Sequence, residues 1–152
     1  MKVMIATDGS KFSQAAVNKA CDFLGEKTGM EIKVVSAYEE DYAMAAEPFA
    51  VSADLYREIA EAAENQARQN ALSAAETIKK RLGEVTASIT TAILKGNPPQ
   101  QIVDIAEEWG ADLIVVGSHG RGFWGRLLGS VSDGVVHHAP CSVMVVREPA
   151  ID

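Results

Sequence analysis

Two hydrophobic periods alternate along this chain from end to end, and that alternation limits its fold more than any other feature. Five short apolar or β-branched runs read as strands: residues 3–6 (VMIA), 32–38 (IKVVSAY), 85–94 (VTASITTAIL), 112–116 (DLIVV) and 141–147 (CSVMVVR). Between them lie segments with helical spacing. Ser13 is the expected N-cap of the first, whose buried face is Ala16, Val17, Ala20, Cys21 and Leu24. The second carries a stripe of Leu55, Ile59, Ala63, Ala67, Ala71, Ala75, Ile78 and Leu82, ended by Gly83. The third is capped by Asn97, opened by Pro98 and Pro99, and faces inward through Ile102, Val103, Ile105, Ala106 and Trp109. The last runs over 130–138 and cannot continue through Pro140. Strands apolar throughout, each followed by a helix, imply one α/β domain over residues 1–152. The expected architecture is a doubly wound parallel sheet with helices on both faces. Residues 39–52, acidic and then alanine-rich, read as a long connecting loop.

Right-handed crossovers leave few strand orders, and 3-2-1-4-5 is the one expected. In such a sheet, ligands sit beyond the carboxyl ends of the strands where the winding reverses, between strands one and four. Both of those ends are polar here. Strand one runs into Asp8-Gly9-Ser10. Strand four runs into Gly117, Gly120, Gly122, Gly125 and Gly129, with Ser130-Val131-Ser132 at the head of the last helix. Glycines admit a close backbone approach, and a helix N-terminus supplies unpaired N–H groups, so this loop suits an anion.

Several functional classes are disfavoured. There is no G-x-x-x-x-G-K-[ST], strand one does not lead into G-x-G-x-x-G, and neither a nucleophile–base–acid set nor a His/Cys cluster at metal spacing is visible. No catalytic residue and no protein-held metal is therefore expected. A formal net charge of −7 argues against nucleic acid or an anionic membrane as partner. Cys21 and Cys141 read as buried free thiols. With no signal-peptide pattern and no run of eighteen apolar residues, the expected location is the cytoplasm.

Strand-Asp8-Gly9-Ser10, Gly117-x-x-Gly120 with Gly129-Ser130, and the terminal APCSVMVVR strand together resemble the universal stress protein family, over essentially the whole chain. The resemblance implies a Rossmann-like fold, frequently dimeric through the last strand, here Val143, Val145 and Arg147. It also implies ATP binding at a G-x2-G-x9-G-[ST] loop; this chain has eight residues between Gly120 and Gly129 rather than nine. By the same resemblance, Ala6 and Ala37 line the adenine slot and Asp8 accepts hydrogen bonds from the nucleoside, with Thr7 and Val116 beside them. The backbone of Gly117, Ser118, His119, Gly120, Arg121, Gly122 and Phe123 wraps ribose and phosphates. Ser130, Val131, Ser132 and Gly129 meet the phosphates at the helix start, with Mg²⁺ riding on phosphate oxygens and water.

Bland readings stand beside these. Asp8 suits an ordinary turn, Arg121 and Arg126 suit solvent, and His119 has no visible partner that would make it a base. Phe123 and Trp124 fit a cover for the site, a subunit contact or simple packing. Three functions compete: a dimeric stress-response regulator that binds ATP, a slow ATPase using Arg121, Arg126, His119 and the serines, and a dimerisation module without nucleotide.

Overall fold

The computed structural model describes residues 1–25, 27–40, 52–83, 87–119 and 128–148. Its elements follow the alternation: β1 (Lys2–Ala6), α1 (Lys11–Leu24), β2 (Met30–Tyr38), α2 (Ala53–Leu82), β3 (Ala87–Lys95), α3 (Pro98–Trp109), β4 (Leu113–Gly117), α4 (Ser130–His138) and β5 (Ser142–Val146). All four strand pairings are parallel, and the order is β3-β2-β1-β4-β5, as expected. The chain leaves β1 toward β2 on one side and later returns to β4 on the other, so the winding reverses between β1 and β4.

The sheet separates two apolar layers. Val3, Ile5, Ile32 and Val34 face α1 and α2, meeting Ala16, Val17, Ala20, Ala71 and Ile78. Met4, Ala6, Val35, Ile114 and Val116 face α3 and α4, meeting Ile102, Ala106 and Val135. Strict alternation of these sets along each strand is the pleat at work. Because both faces are covered, the strands read as nearly unbroken apolar runs.

Three helix starts carry a side-chain cap: Ser10 Oγ accepts from Ser13 N, Ser52 Oγ from Leu55 N, and Asn97 Oδ1 from Gln100 N. The first corrects the expectation of a Ser13 cap. Ser10 stands one turn earlier, and Ser13 lies inside α1 with its own hydroxyl turned back to Ser10 O at 3.0 Å. A second correction concerns α2. Its buried residues are Ala67, Ala71, Ala74 and Ile78, whereas Leu55 and Ile59 are exposed. At about 1.5 Å per residue, thirty residues make a rod of about 45 Å. A nine-residue strand beneath it spans about 30 Å, so the first turns of α2 outrun the sheet. The expected start of strand three at Val85 lies outside the described residues, as does 41–51 of the expected connecting loop.

Two glycines set helix positions by close approach. A Cβ on Gly117 would lie 2.7 Å from Phe12 O, and one on Gly134 would lie 2.7 Å from Pro99 Cβ. The first contact seats the end of β4 against the first turn of α1, and the second seats α4 against α3.

Candidate functional site

At the carboxyl end of the sheet, over the point of reversal, the described residues enclose a cavity of about 320 Å³. That volume is at the small end of ligand pockets, which run from about 300 to 1,000 Å³. Ala6, Thr7 and Asp8 enter it from the end of β1, Val35 and Ala37 from β2, and Val116, Gly117 and His119 from β4. Pro98 and Ile102 of α3 form one wall, and Gly129 to Ser132 at the head of α4 form the lip. The inner part, with alanine methyls, Val35, Ile102 and Val116, is a narrow apolar slot. The outer part is polar. A flat apolar group with a polar or anionic extension fits that division.

The lip has an uncommon property. Gly129 caps α4 without any side-chain hydrogen bond, the only one of the four described helices so built. Gly129 N donates to Ser118 O at 2.8 Å, and Asp133 N closes the first helical bond on Gly129 O. The N–H groups of Ser130, Val131 and Ser132 thus have no partner within the helix and stand at its positive end. Ser130 is exposed, and its hydroxyl has no hydrogen bond among the described residues. Ser132 lines the cavity but is itself buried, its hydroxyl hydrogen shared between Ser118 O at 2.9 Å and Gly129 O at 3.0 Å. In this arrangement Ser132 pins the end of β4 to the start of α4, and its oxygen retains only acceptor capacity toward the cavity.

On the β1 side, Asp8 lines the cavity and its Oδ1 accepts from Ser10 N at 2.9 Å, which fixes the carboxylate and leaves Oδ2 as a further acceptor. Thr7 is buried, and its hydroxyl belongs to a short relay. Gly9 N donates to Thr7 Oγ1 at 3.2 Å, Thr7 Oγ1 lies 3.0 Å from Ser13 Oγ, and Ser13 Oγ donates to Ser10 O. Ser13 has one hydrogen and directs it to Ser10, so Thr7 is the donor between the two hydroxyls. On the β4 side, Ser118 N donates to Val146 O at 2.8 Å, and Ser118 Oγ lies 3.0 Å from His119 Nδ1. Ser118 is buried behind the cavity wall, while the His119 ring lies tilted against Phe12 with centroids 5.4 Å apart.

Of the residues singled out in the sequence, Ala6, Thr7, Asp8, Ala37, Val116, Gly117, His119, Gly129, Ser130, Val131 and Ser132 therefore converge on one cavity. Gly120, Arg121, Gly122 and Phe123 lie outside the described residues. Ser13, Val35, Pro98 and Ile102 also line the cavity and were missed. Asn97-Pro98-Pro99 was legible as a helix start, and its place above the reversal point follows from the strand order. Val35 was legible from alternation, since it points to the same face as Ala37. Among the described residues, no group of three or more His, Cys, Asp or Glu side chains is placed to hold a metal.

Comparison with known proteins gives one consistent picture. The model of the universal stress protein family matches residues 1–147. The universal stress protein MJ0531 of Methanocaldococcus jannaschii is 33% identical over 150 residues, covering 97% of this chain and 82% of that protein. The solved structure of MJ0577, from the same organism, superimposes with a TM-score of 0.72 at 30% identity, over 99% of this chain and 97% of that one. A family protein of Arabidopsis thaliana, solved with AMP bound, has a TM-score of 0.65 at 21% identity, over 99% of this chain and 93% of that one.

Proposed function

Because this chain belongs to the universal stress protein family, we propose that it is a regulatory protein of the stress response that binds an adenine nucleotide, ATP with Mg²⁺, in the cavity between β1 and β4. The observation that carries this reading is the open start of α4. Three amides without a partner among the described residues, with the Ser130 hydroxyl, lie at the polar end of an apolar slot, in a family one of whose solved members holds AMP. Adenine enters the slot between Ala6, Ala37 and Ile102. Asp8 Oδ2 accepts from the ribose hydroxyls, and the phosphates reach the α4 amides. The donor set fits an anion, and a carboxylate at the opposite wall discourages phosphate from binding there. Mg²⁺ supplies charge neutralisation to the phosphates and keeps mostly oxygen ligands from them and from water. Gly117, Ser118, His119, Gly120, Arg121, Gly122 and Phe123 are assigned to the same nucleotide by their place after β4. Binding rather than turnover is the function, and the protein acts in the cytoplasm as a dimer paired through β5.

The test is equilibrium titration of nucleotide-stripped protein with ATP. Saturable binding is expected. It should be abolished by Ala37→Leu, which fills the slot, and weakened for adenosine, which lacks the anion. Absence of affinity at millimolar ATP, or equal affinity for Ala37→Leu, overturns the reading.

A further inference from the structure

The opposite face of the sheet carries a second cavity, about 270 Å³, between α1 and α2. It is lined by Thr7 and Gly9 from the end of β1, by Gln14, Val17 and Asn18 from α1, and by Asn70, Ser73, Ala74 and Thr77 from α2. None of these side chains is charged. The absence is local, for α2 carries Glu61, Glu64, Arg68, Glu76, Lys79 and Lys80 on its other faces, while Arg81, one turn beyond Thr77, reaches the rim of the groove through Asn18, and 23% of the chain is charged. At roughly 30 Å³ per water the space equals about nine waters, far more than one bridging molecule needs.

The hydrogen bonds inside this groove determine what remains open. Asn18 Oδ1 is taken by Arg81 Nη1 at 3.0 Å, itself held by Asp22, so Asn18 Nδ2 is turned away from that pair. Asn70 Oδ1 is taken by Gln66 Nε2 at 3.0 Å, which leaves the Asn70 Nδ2 donors open. Gln14 Nε2 donates to Gly9 O at 3.1 Å and leaves its Oε1 as an acceptor. Thr77 Oγ1 donates to Ser73 O at 3.0 Å, and the Ser73 hydroxyl has no partner among the described residues. The open set is thus mixed, with amide donors, an amide acceptor and hydroxyls of both kinds, over an apolar floor of Val17 and Ala74. An anion would leave the acceptors unsatisfied, and a cation would leave the amide N–H groups unsatisfied. A ligand whose every polar group both donates and accepts satisfies all of them, while its C–H face lies on Val17 and Ala74.

From this we infer that the α1–α2 groove binds a small uncharged polyol, of the size and chemistry of a monosaccharide or cyclitol. The groove lies across the sheet from the nucleotide cavity and shares only Thr7 with it.

The experiment is a ¹H–¹⁵N titration of the intact protein with glucose, myo-inositol and glycerol in turn, following the side-chain amides of Gln14, Asn18 and Asn70. With glucose or myo-inositol, saturable shifts are expected at these three amides and at the backbone of Gly9 and Ser73, with little change at Ala37 or Ser130. Two variants keep the fold, since both place a strong helix former on α2: Asn70→Ala and Ser73→Ala. Each should weaken the response about tenfold, the loss of roughly one hydrogen-bonding group. If none of the three probes gives a saturable shift, or if both variants respond like the parent, the groove holds only water and the inference fails.

Discussion

Gly117 shows how a single side-chain hydrogen can position a site. Its φ is not in the left-handed region, so glycine is required there for space alone. A methyl would meet Phe12 O and Phe12 C at 2.7 and 2.8 Å and Ser13 N at 3.0 Å, all main-chain atoms with little freedom to yield. Gly117→Ala should therefore destabilise the protein by about 1–3 kcal/mol, the usual cost of overpacking, measured as a shift in urea midpoint at unchanged m-value. The sequence alone suggested a different reason for this glycine, close approach to phosphate. What it presses against is the first turn of α1. A neighbour a hundred positions away cannot be read from local spacing. The same holds for Ser10 and Ser13, three residues apart and both suited to capping, between which only the geometry decides.

Among elements, β5 carries the clearest consequence. Val146 O accepts from Ser118 N, so Val146 turns its main chain toward β4. In a parallel ladder the direction alternates, and Val143 and Val145 therefore turn their N–H and C=O groups outward along the open edge, with Arg147 just beyond. Their side chains pack inward against the α3–α4 layer. Any pairing through this edge must then be made by main chain. Val145→Pro removes one outward N–H while leaving the β4 ladder intact, and proline is tolerated on an edge. The proposed dimer should become a monomer in sedimentation equilibrium with little change in far-UV circular dichroism; a dimer that persists would show that the contact is elsewhere. Elements were the best-read level of this chain, because period and capping are local. All nine among the described residues were legible, as was the strand order. Where the reading failed, the missing information was length. The stripe on α2 gives Leu55 and Ile59 the same standing as Ala67 and Ala71, and nothing in periodicity tells where the underlying sheet stops. The cavity was legible where its residues sit at strand ends or in the Gly129–Ser132 head of α4. Pro98 and Ile102 enter it from a helix wall, which no motif announced.

For the molecule as a whole, every change in proton affinity resolved among the described residues has one direction. Burial raises the Cys21 and Cys141 thiols above 9.0, partial burial and then Glu64 raise the Tyr38 phenol above 10.0, and the hydrogen bond to Glu40 raises the Lys95 ammonium above 10.5. Each group holds its proton more tightly when folded. The unfolded chain therefore loses protons first as pH rises, and stability must fall with pH in that range. For Lys95, the stabilisation by Glu40 is complete below the unfolded value and is lost as pH passes through the folded one. Thermal unfolding should thus show a Tm independent of these groups up to about pH 9, declining above it. Cys21→Ala should remove the earliest part of the decline, and an alkaline slope identical in that variant would show that the thiol is not its source. One last consequence concerns redesign. The walls of the β1–β4 cavity are backed by two close seatings, Gly117 on the Phe12 main chain and Gly134 on the Pro99 ring, and Phe12, Pro99 and Gly134 are not among its lining residues. Variation confined to the lining would change which groups a guest meets but not the distance between the walls. A larger guest requires substitutions behind the walls, where α3 meets α4, in residues that never touch it.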